Sequence, residues 1–297
     1  MSGTANVAYA SSLEYLNEHV AKPAFTAATG AGYSGTGNTS GGLEQDIASG
    51  EITPNVFEAV GGDNITPLEP KFTKWYVQYA GTSMVVAYNP NSKYASQFEA
   101  IGSGAKPMKD LFTLLRTTGL KLGRTDPATD PQARDFIIML ELAQQHYHLP
   151  PDTVAKILGT TDLGSSNSSQ IYAESSLDST LESGQVDAAS AFVTQAVQLH
   201  LHYIKLPDAI NLGSFADAAQ YKKATLTVGS KTYKGSPQVI DITTIGPPTP
   251  AAEAFVAYTL SAAGQAQYKQ GGFTMITPTV FGAKSAVPAP ILSELGG

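Results

Sequence analysis

With 297 residues, 42% of them hydrophobic and 14% charged, the chain is globular rather than disordered and long enough for two domains. Its net charge of −7, from 18 Lys+Arg against 25 Asp+Glu with no basic run, argues against nucleic acid as a partner, and the lack of cysteine excludes disulfides, thiolate metal sites and cysteine catalysis. No apolar run approaches the roughly 18 residues that would suggest a membrane span. The opening Met1-Ser-Gly-Thr shows no export signal, which fits a cytosolic protein or one whose signal has been trimmed away.

Asn6–Ala10 reads as a short buried strand, and Leu13–Val20 follows in helical register. Ser11 with Glu14 three residues on has the capping-box pattern, and Pro23 interrupts or kinks a helix that runs out near Gly30. A strand, a serine turn and a helix form a routine βα turn, and equally a way to aim hydroxyls and amides at a ligand beyond the strand. Gly30–Gly42 is rich in glycine and hydroxyls but lacks the lysine of a phosphate-binding loop. It reads either as a flexible linker or as a second anion-facing helix start, with Thr39 or Ser40 donating, ahead of a short helix at Leu43–Ala48.

Val56–Val60, Trp75–Ala80 and Ser83–Tyr88 read as strands, with Trp75 and the tyrosines packing in the core. Lys109–Leu115 is amphipathic and leads to Leu122–Asp135. There Asp130 stands at an N-cap and Pro131 at the first position of a helix running to about Tyr147. The unpaired N–H groups and positive partial charge of such a start make it a potential anion site; read locally, Asp130 only caps its helix. Asp126-Pro127 is a turn starter. Arg124 and Arg134 read as surface residues or partners of nearby carboxylates, outside any ligand site.

Asp152–Leu163 gives another helix, Ser165–Ser169 a polar loop, and Ser175–Glu182 a helix start carrying Ser-x-x-Asp. Gly184–Phe192 and Tyr203–Pro207 read as strands around a helix at 193–200. Gln220–Pro237 reads as an exposed hairpin turning at Gly229-Ser230, Val239–Ile245 as an apolar strand, and Ala251–Gln267 as a long helix before a tail with Phe273–Ile276. Strands alternating with helices imply an α/β architecture with parallel sheets. The length implies two lobes joined by crossover strands at Ser83–Tyr88 and Val239–Ile245: residues 1–88 plus 239–297, and residues 89–238. A ligand is expected in the cleft between them, facing helix starts from both sides, with hinge closure around it.

Six stretches, in order, resemble the molybdate/tungstate-binding proteins of ABC transporters, most nearly the archaeal-type branch. They are Ala8-Tyr-Ala-Ser-Ser-Leu13, Gly50-Glu-Ile-Thr-Pro-Asn-Val-Phe57, Lys71-Phe-Thr-Lys-Trp-Tyr76, Gly123-Arg-Thr-Asp-Pro-Ala-Thr-Asp-Pro131, Glu182-Ser-Gly-Gln-Val-Asp187 and Ile204-Lys-Leu-Pro-Asp-Ala-Ile-Asn-Leu212. The resemblance implies the two-lobed type II periplasmic-binding fold. It also implies export to the periplasmic or extracellular face, by way of a lipid anchor in one version, and delivery of a tungstate or molybdate oxyanion by a monomer to a membrane permease. In this resemblance Ser12, with Ser11 beside it, matches a hydroxyl donor, as does Ser40 with Thr39. Asp130 matches a carboxylate that coordinates the metal centre, Gln132 a backbone amide donor, and Glu174 a further backbone contact. Two positions depart from the pattern: Ala191 stands where that branch has a second coordinating glutamate, and Phe192 where many relatives have tyrosine.

Neutral donors suffice for such a ligand, because hydroxyls, amides and helix ends satisfy a buried anion without a full positive charge. Sulfate or another inorganic or organic anion is the alternative ligand, and an adhesin or sensor reusing the fold the alternative role. A hydrolase using Ser12 or Ser40 is disfavoured: neither stretch has a Gly-x-Ser-x-Gly elbow, and His19 lies too far along its helix to serve as base. No catalytic residue, resident metal or cofactor is expected. The one metal alternative is a zinc site, were His146-Tyr-His148 and His200-Leu-His202 to meet in space.

Overall fold

The computed structural model describes residues 2–295. The chain divides into two compact units, Met1–Thr82 with Gln238–Gly297, and Ser83–Pro237. The first unit opens with β1 (Thr4–Ala10), β2 (Gly32–Asn38), β3 (Val56–Val60) and β4 (Trp75–Thr82). The second holds β5 (Met84–Tyr88), β6 (Leu122–Gly123), β7 (Ala188–Phe192), β8 (His202–Lys205), β9 (Thr225–Val228) and β10 (Lys231–Lys234). The chain then returns to the first unit with β11 (Gln238–Thr244) and β12 (Thr274–Gly282).

The first unit's sheet runs in the order β12-β4-β11-β3-β1-β2. β1 pairs in parallel with β2 and β3, whereas β11 lies antiparallel between β3 and β4 and β12 antiparallel to β4. The sheet is therefore mixed rather than parallel, because both strands that arrive after the second unit run against the first four. β2 and the helix start at Thr39 occupy the stretch that read either as a linker or as an anion-facing helix start. The glycines of β2 are there for space: a Cβ on Gly35 or Gly37 would stand 2.7 or 2.8 Å from the ring of Tyr9 on β1. Hydrophobic patterning is missing from this strand because it is an edge with one face mostly exposed and glycines on much of the other.

The Ser40–Ser49 helix begins three residues earlier than its apolar pattern and buries Leu43 and Ile47 against Ala8, Phe57, Ala59, Ile65 and Leu68. Burying each of these two side chains contributes about 1.5–3 kcal/mol. After β1 the chain makes a tight turn at Ser11–Leu13, a wide turn at Asn17–Ala21 and a regular helix at Lys22–Thr29, closed by left-handed Gly30 (φ 71°). Pro23 has no N–H for the carbonyl one turn back, and the wide turn lies at that point. Asn17 donates to the Leu13 carbonyl at 3.2 Å and to the Glu58 carboxylate on β3 at 2.8 Å, which ties this helix to the sheet. Glu58 is fully buried; burial raises its pKa, opposed by donors from Tyr268, Tyr79 and Asn17. Instead of one helix to Gln267, the chain forms Pro250–Leu260 and Ala262–Gln270, divided at Ser261, whose hydroxyl accepts from Gly264 N–H at 3.2 Å.

The second unit's sheet has the order β6-β7-β5-β8, with β9 and β10 paired apart from it as the hairpin turning at Gly229-Ser230. β5 pairs with both β7 and β8. The unit boundaries consequently fall at Thr82/Ser83 and Pro237/Gln238, and not after Tyr88 and residue 238. Only β6 and β7 are parallel there. Gly123 on β6 is required by close approach, since a Cβ would stand 2.6 Å from Leu177. The helix at Thr153–Leu158 stops before Leu163 because Gly159 turns left-handed (φ 67°). Val85, Ala87, Leu177, Leu181, Val186, Ala189 and Ala191 form a core within this unit. Among the described residues no helix is long and apolar enough to cross a membrane.

Candidate functional site

In the first unit the parallel register pairs Ala10 with Asn38, so the chain leaves β1 and β2 side by side into Ser11 and Thr39. Thr39 is the N-cap of the Ser40–Ser49 helix and accepts from Gly42 N–H at 3.1 Å. Ser40, 1% exposed, accepts from Val60 N–H on β3 at 3.1 Å, which leaves its hydroxyl proton to give. The hydroxyl of Ser12, 5% exposed, has no partner among the described residues. Ser11 does not cap: the turn starts at Ala10 with no side-chain bond, so the Ser11–Glu14 capping box does not form. Ser11 is itself inside the turn, one position past the place from which a side chain caps.

The second unit also gathers helix starts. Asp130, 2% exposed, caps the Pro131–His146 helix with Oδ1, which accepts from Gln132 N–H at 2.8 Å. The backbone amide expected from Gln132 is thus occupied. Asp130 Oδ2 is buried with no partner. Burial pushes the Asp130 carboxyl up to about 6, against the lowering influence of the Thr125 hydroxyl, the Gln132 amide and the Arg134 charge. The side chain of Gln132 donates to Gln195 Oε1 at 2.6 Å and accepts from the Ser190 hydroxyl at 3.0 Å. Glu174 is the first residue of the Glu174–Glu182 helix, buried, and its Oε1 accepts from Gln195 at 3.1 Å and Gln132 at 3.4 Å. The Ser-x-x-Asp at Ser175 is already inside this helix and does not cap it. Gln195 closes the set: its Oε1 also accepts from Phe192 N–H at 3.1 Å, at the start of the Val193–Gln198 helix.

This network joins Asp130, Gln132 and Glu174 through two residues that sequence reasoning passed over, Ser190 and Gln195. Gln195 carried a readable signal, a glutamine at the third position of a helix start, where it reaches back to the N-cap amide. Ser190 carried none. Ala191 packs into the hydrophobic core and Phe192 is buried, so no carboxylate takes the place of the second glutamate of the archaeal-type pattern. Of the two readings of the arginines, surface residues or partners of nearby carboxylates, the first fails, since both are buried, while the charge of Arg134 does act on Asp130. Arg134 lies 4.4 Å over the ring of Tyr233, while Arg124 is 0% exposed. His148 and His200 end their helices at positive φ (51° and 55°), and His202 lies against the Tyr88 ring. Among the described residues no group of three or more His, Cys, Asp or Glu side chains could hold a metal ion.

Comparison with known proteins places these features. A family model described as bacterial extracellular solute-binding protein matches residues 5–274. The chain belongs to that family. It is 29% identical over 232 residues to the molybdate/tungstate-binding protein WtpA of Pyrococcus abyssi, covering 71% of this chain and 65% of that one, so the match spans just under two thirds of the relative. In structure it resembles the periplasmic molybdate-binding protein of Azotobacter vinelandii (TM-score 0.59, 15% identity, 91% of this chain and 99% of that one). It also resembles the sulfate-binding protein SubI of Mycobacterium tuberculosis (TM-score 0.60, 12% identity, 99% and 96%). The fold is that of the two-lobed periplasmic binding proteins.

Proposed function

We propose that this solute-binding protein captures a tetrahedral oxyanion, tungstate or molybdate, and delivers it to an ABC permease. The observation that carries the reading is the Ser12 hydroxyl, buried at a helix start beside a second helix start and left without a partner. That hydroxyl is free to donate, and an anion at that position takes the bond. In this reading the ligand-binding residues are Ser11, Ser12, Thr39, Ser40, Asp130, Gln132 and Glu174. Asp130 contributes Oδ2, the oxygen its helix leaves open. Gln132 and Glu174 act by holding that helix start in place. The similarity to a relative named for molybdate and tungstate supports the choice of ligand. The protein works as an exported monomer, without a resident cofactor and without catalysis, as a transport component.

One observation favours a second ligand. Ala191 is turned into the core where the archaeal-type pattern has a coordinating glutamate. With one carboxylate in place of two, the site suits a four-coordinate anion, sulfate included, better than a metal centre expanded toward six ligands. Isothermal titration with tungstate, molybdate, sulfate and phosphate in turn tests both. Tight tungstate or molybdate binding with little heat from sulfate is expected; a sulfate response alone moves the assignment to the second ligand, and silence toward all four removes the oxyanion reading.

A further inference from the structure

The second unit contains a cation to which the reading above gives no task. Arg124 directly follows β6, and its backbone is fixed on both sides: its N–H donates to Gln170 O at 2.8 Å and its carbonyl accepts from Tyr172 N–H at 2.9 Å. The side chain is fully buried. Nη1 donates to Thr125 O at 3.3 Å, while Nε and Nη2 have no partner. The ion pairs found among the described residues, Lys22–Glu18 and Lys156–Asp152, do not involve it. Burial lowers the pKa of Arg124, opposed by the charge of Asp126, whose carboxylate is engaged with Ala128 N–H at 2.9 Å and the Ser166 hydroxyl at 2.7 Å.

A guanidinium out of water keeps its charge, so an unpaired one is strongly destabilising unless an anion joins it. Nε–H and Nη2–H lie along one edge of the guanidinium plane and point the same way, the arrangement that grips two oxygens of a single oxyanion. The position is also suitable. The parallel register of Leu122 with Ala188 and Gly123 with Ala189 brings Arg124 level with Ser190, whose hydroxyl bonds Gln132 in the helix-start network. Thr125, the next residue, acts on Asp130. Ligands of α/β units bind beyond the C-terminal ends of their parallel strands, and Arg124 stands at that end of β6.

We infer that Arg124 is a ligand residue, gripping two oxygens of the bound oxyanion through Nε–H and Nη2–H and supplying the full positive charge that the hydroxyl and amide donors lack. This rests on the oxyanion reading. It adds a selectivity: a dianion is preferred over a monoanion of the same size, because its doubled charge strengthens the attraction to the guanidinium.

The test uses wild type, Arg124→Gln and Arg124→Lys, each titrated with tungstate, molybdate, sulfate and phosphate and melted with and without the anion that wild type binds. Removing one partner of a buried charge pair should weaken binding about 100-fold in Arg124→Gln, and keeping charge without the fork about 10-fold in Arg124→Lys. The anion-free melting temperature of Arg124→Gln should match or exceed wild type, since an unpaired buried charge is gone, while its anion-induced rise disappears. Wild-type affinity in Arg124→Gln, or a lower anion-free melting temperature with affinity intact, overturns the assignment and makes Arg124 structural. If Arg124→Gln does not fold, Arg124→Lys decides: a tenfold loss supports the grip and an unchanged affinity refutes it. Wild type that binds none of the four anions sinks the oxyanion reading itself, an outcome distinct from wild type and variant binding alike.

Discussion

Asp241 offers a test of the physics that needs no ligand. It lies in β11 at the register shift after Ile240, fully buried, with Oδ1 accepting from the Gln78 amide at 3.4 Å and Oδ2 without a partner. Burial pushes its carboxyl up to about 8 from an ordinary 3.8, with Gln78 opposing and Asp63 reinforcing the rise. Because the folded-state pKa is raised, the folded chain still holds a proton that the unfolded chain has released. Stability from this group is therefore complete below about pH 4 and is lost as pH climbs to about 8. At about 1.4 kcal/mol per unit, the loss amounts to about 5 kcal/mol by pH 8. Asp241→Asn keeps the shape of the neutral acid and cannot ionise, so it escapes this loss. Urea unfolding of both proteins at about pH 4.5, 6 and 8 measures it, followed through Trp75, the single tryptophan, on the β4 strand that pairs with β11. The variant should be within about 1 kcal/mol of wild type at the lowest pH, ahead by about 3 at pH 6 and by about 5 at pH 8. Two stability curves that stay parallel across this range would refute the reasoning, showing that Asp241 titrates alike in both states.

Three further outcomes follow from the site. Ser12→Ala should weaken oxyanion binding by about 1–3 kcal/mol in titration calorimetry, the effect of leaving one partner unbonded, and unchanged affinity removes Ser12 from the site. Asp130, at about 6, gains a proton to donate as pH falls, so wild-type affinity should rise between about pH 7.5 and 5.5 while Asp130→Asn stays flat; a flat wild-type profile counts against Asp130 facing the ligand. Gln195→Leu strips a donor from Glu174 and the acceptor from both the Gln132 amide and Phe192 N–H; it should lower the unfolding free energy by about 1–3 kcal/mol in urea, and a neutral result would mean the network is not holding the helix starts together.

Much of the architecture was legible because its signals are local. The Asp130–Pro131 helix start and the apolar runs that became β3, β5 and β11 follow from capping chemistry and hydrophobic period alone. β2 was illegible because what selects its glycines is the Tyr9 ring on a neighbouring strand, a contact across 26 or 28 residues of sequence. Strand direction was misjudged for the same reason: nothing in Val239–Ile245 says which way it runs between β3 and β4. At the site, the hydroxyls and Asp130 were readable from helix starts, whereas Arg124 was read as a surface residue or a carboxylate partner, outside any ligand site, because charge predicts exposure. Its burial depends on the strand it follows and on Gln170 and Tyr172, which clasp its backbone.

The strand order has a consequence for the nascent chain. β11 separates β3 from β4, yet it is made only after the whole of Ser83–Pro237. While the chain is being synthesised, β4 has no native neighbour, since both of the strands that flank it, β11 and β12, are still to come. The second unit has all its strands as soon as β10 is complete. The order of maturation is thus inverted relative to the order of synthesis: the segment made in the middle can fold first, and the one begun first finishes last. A ribosome stalled near Pro237 should carry a protease-resistant middle and a labile beginning, and release of the last sixty residues should convert both into one protected species.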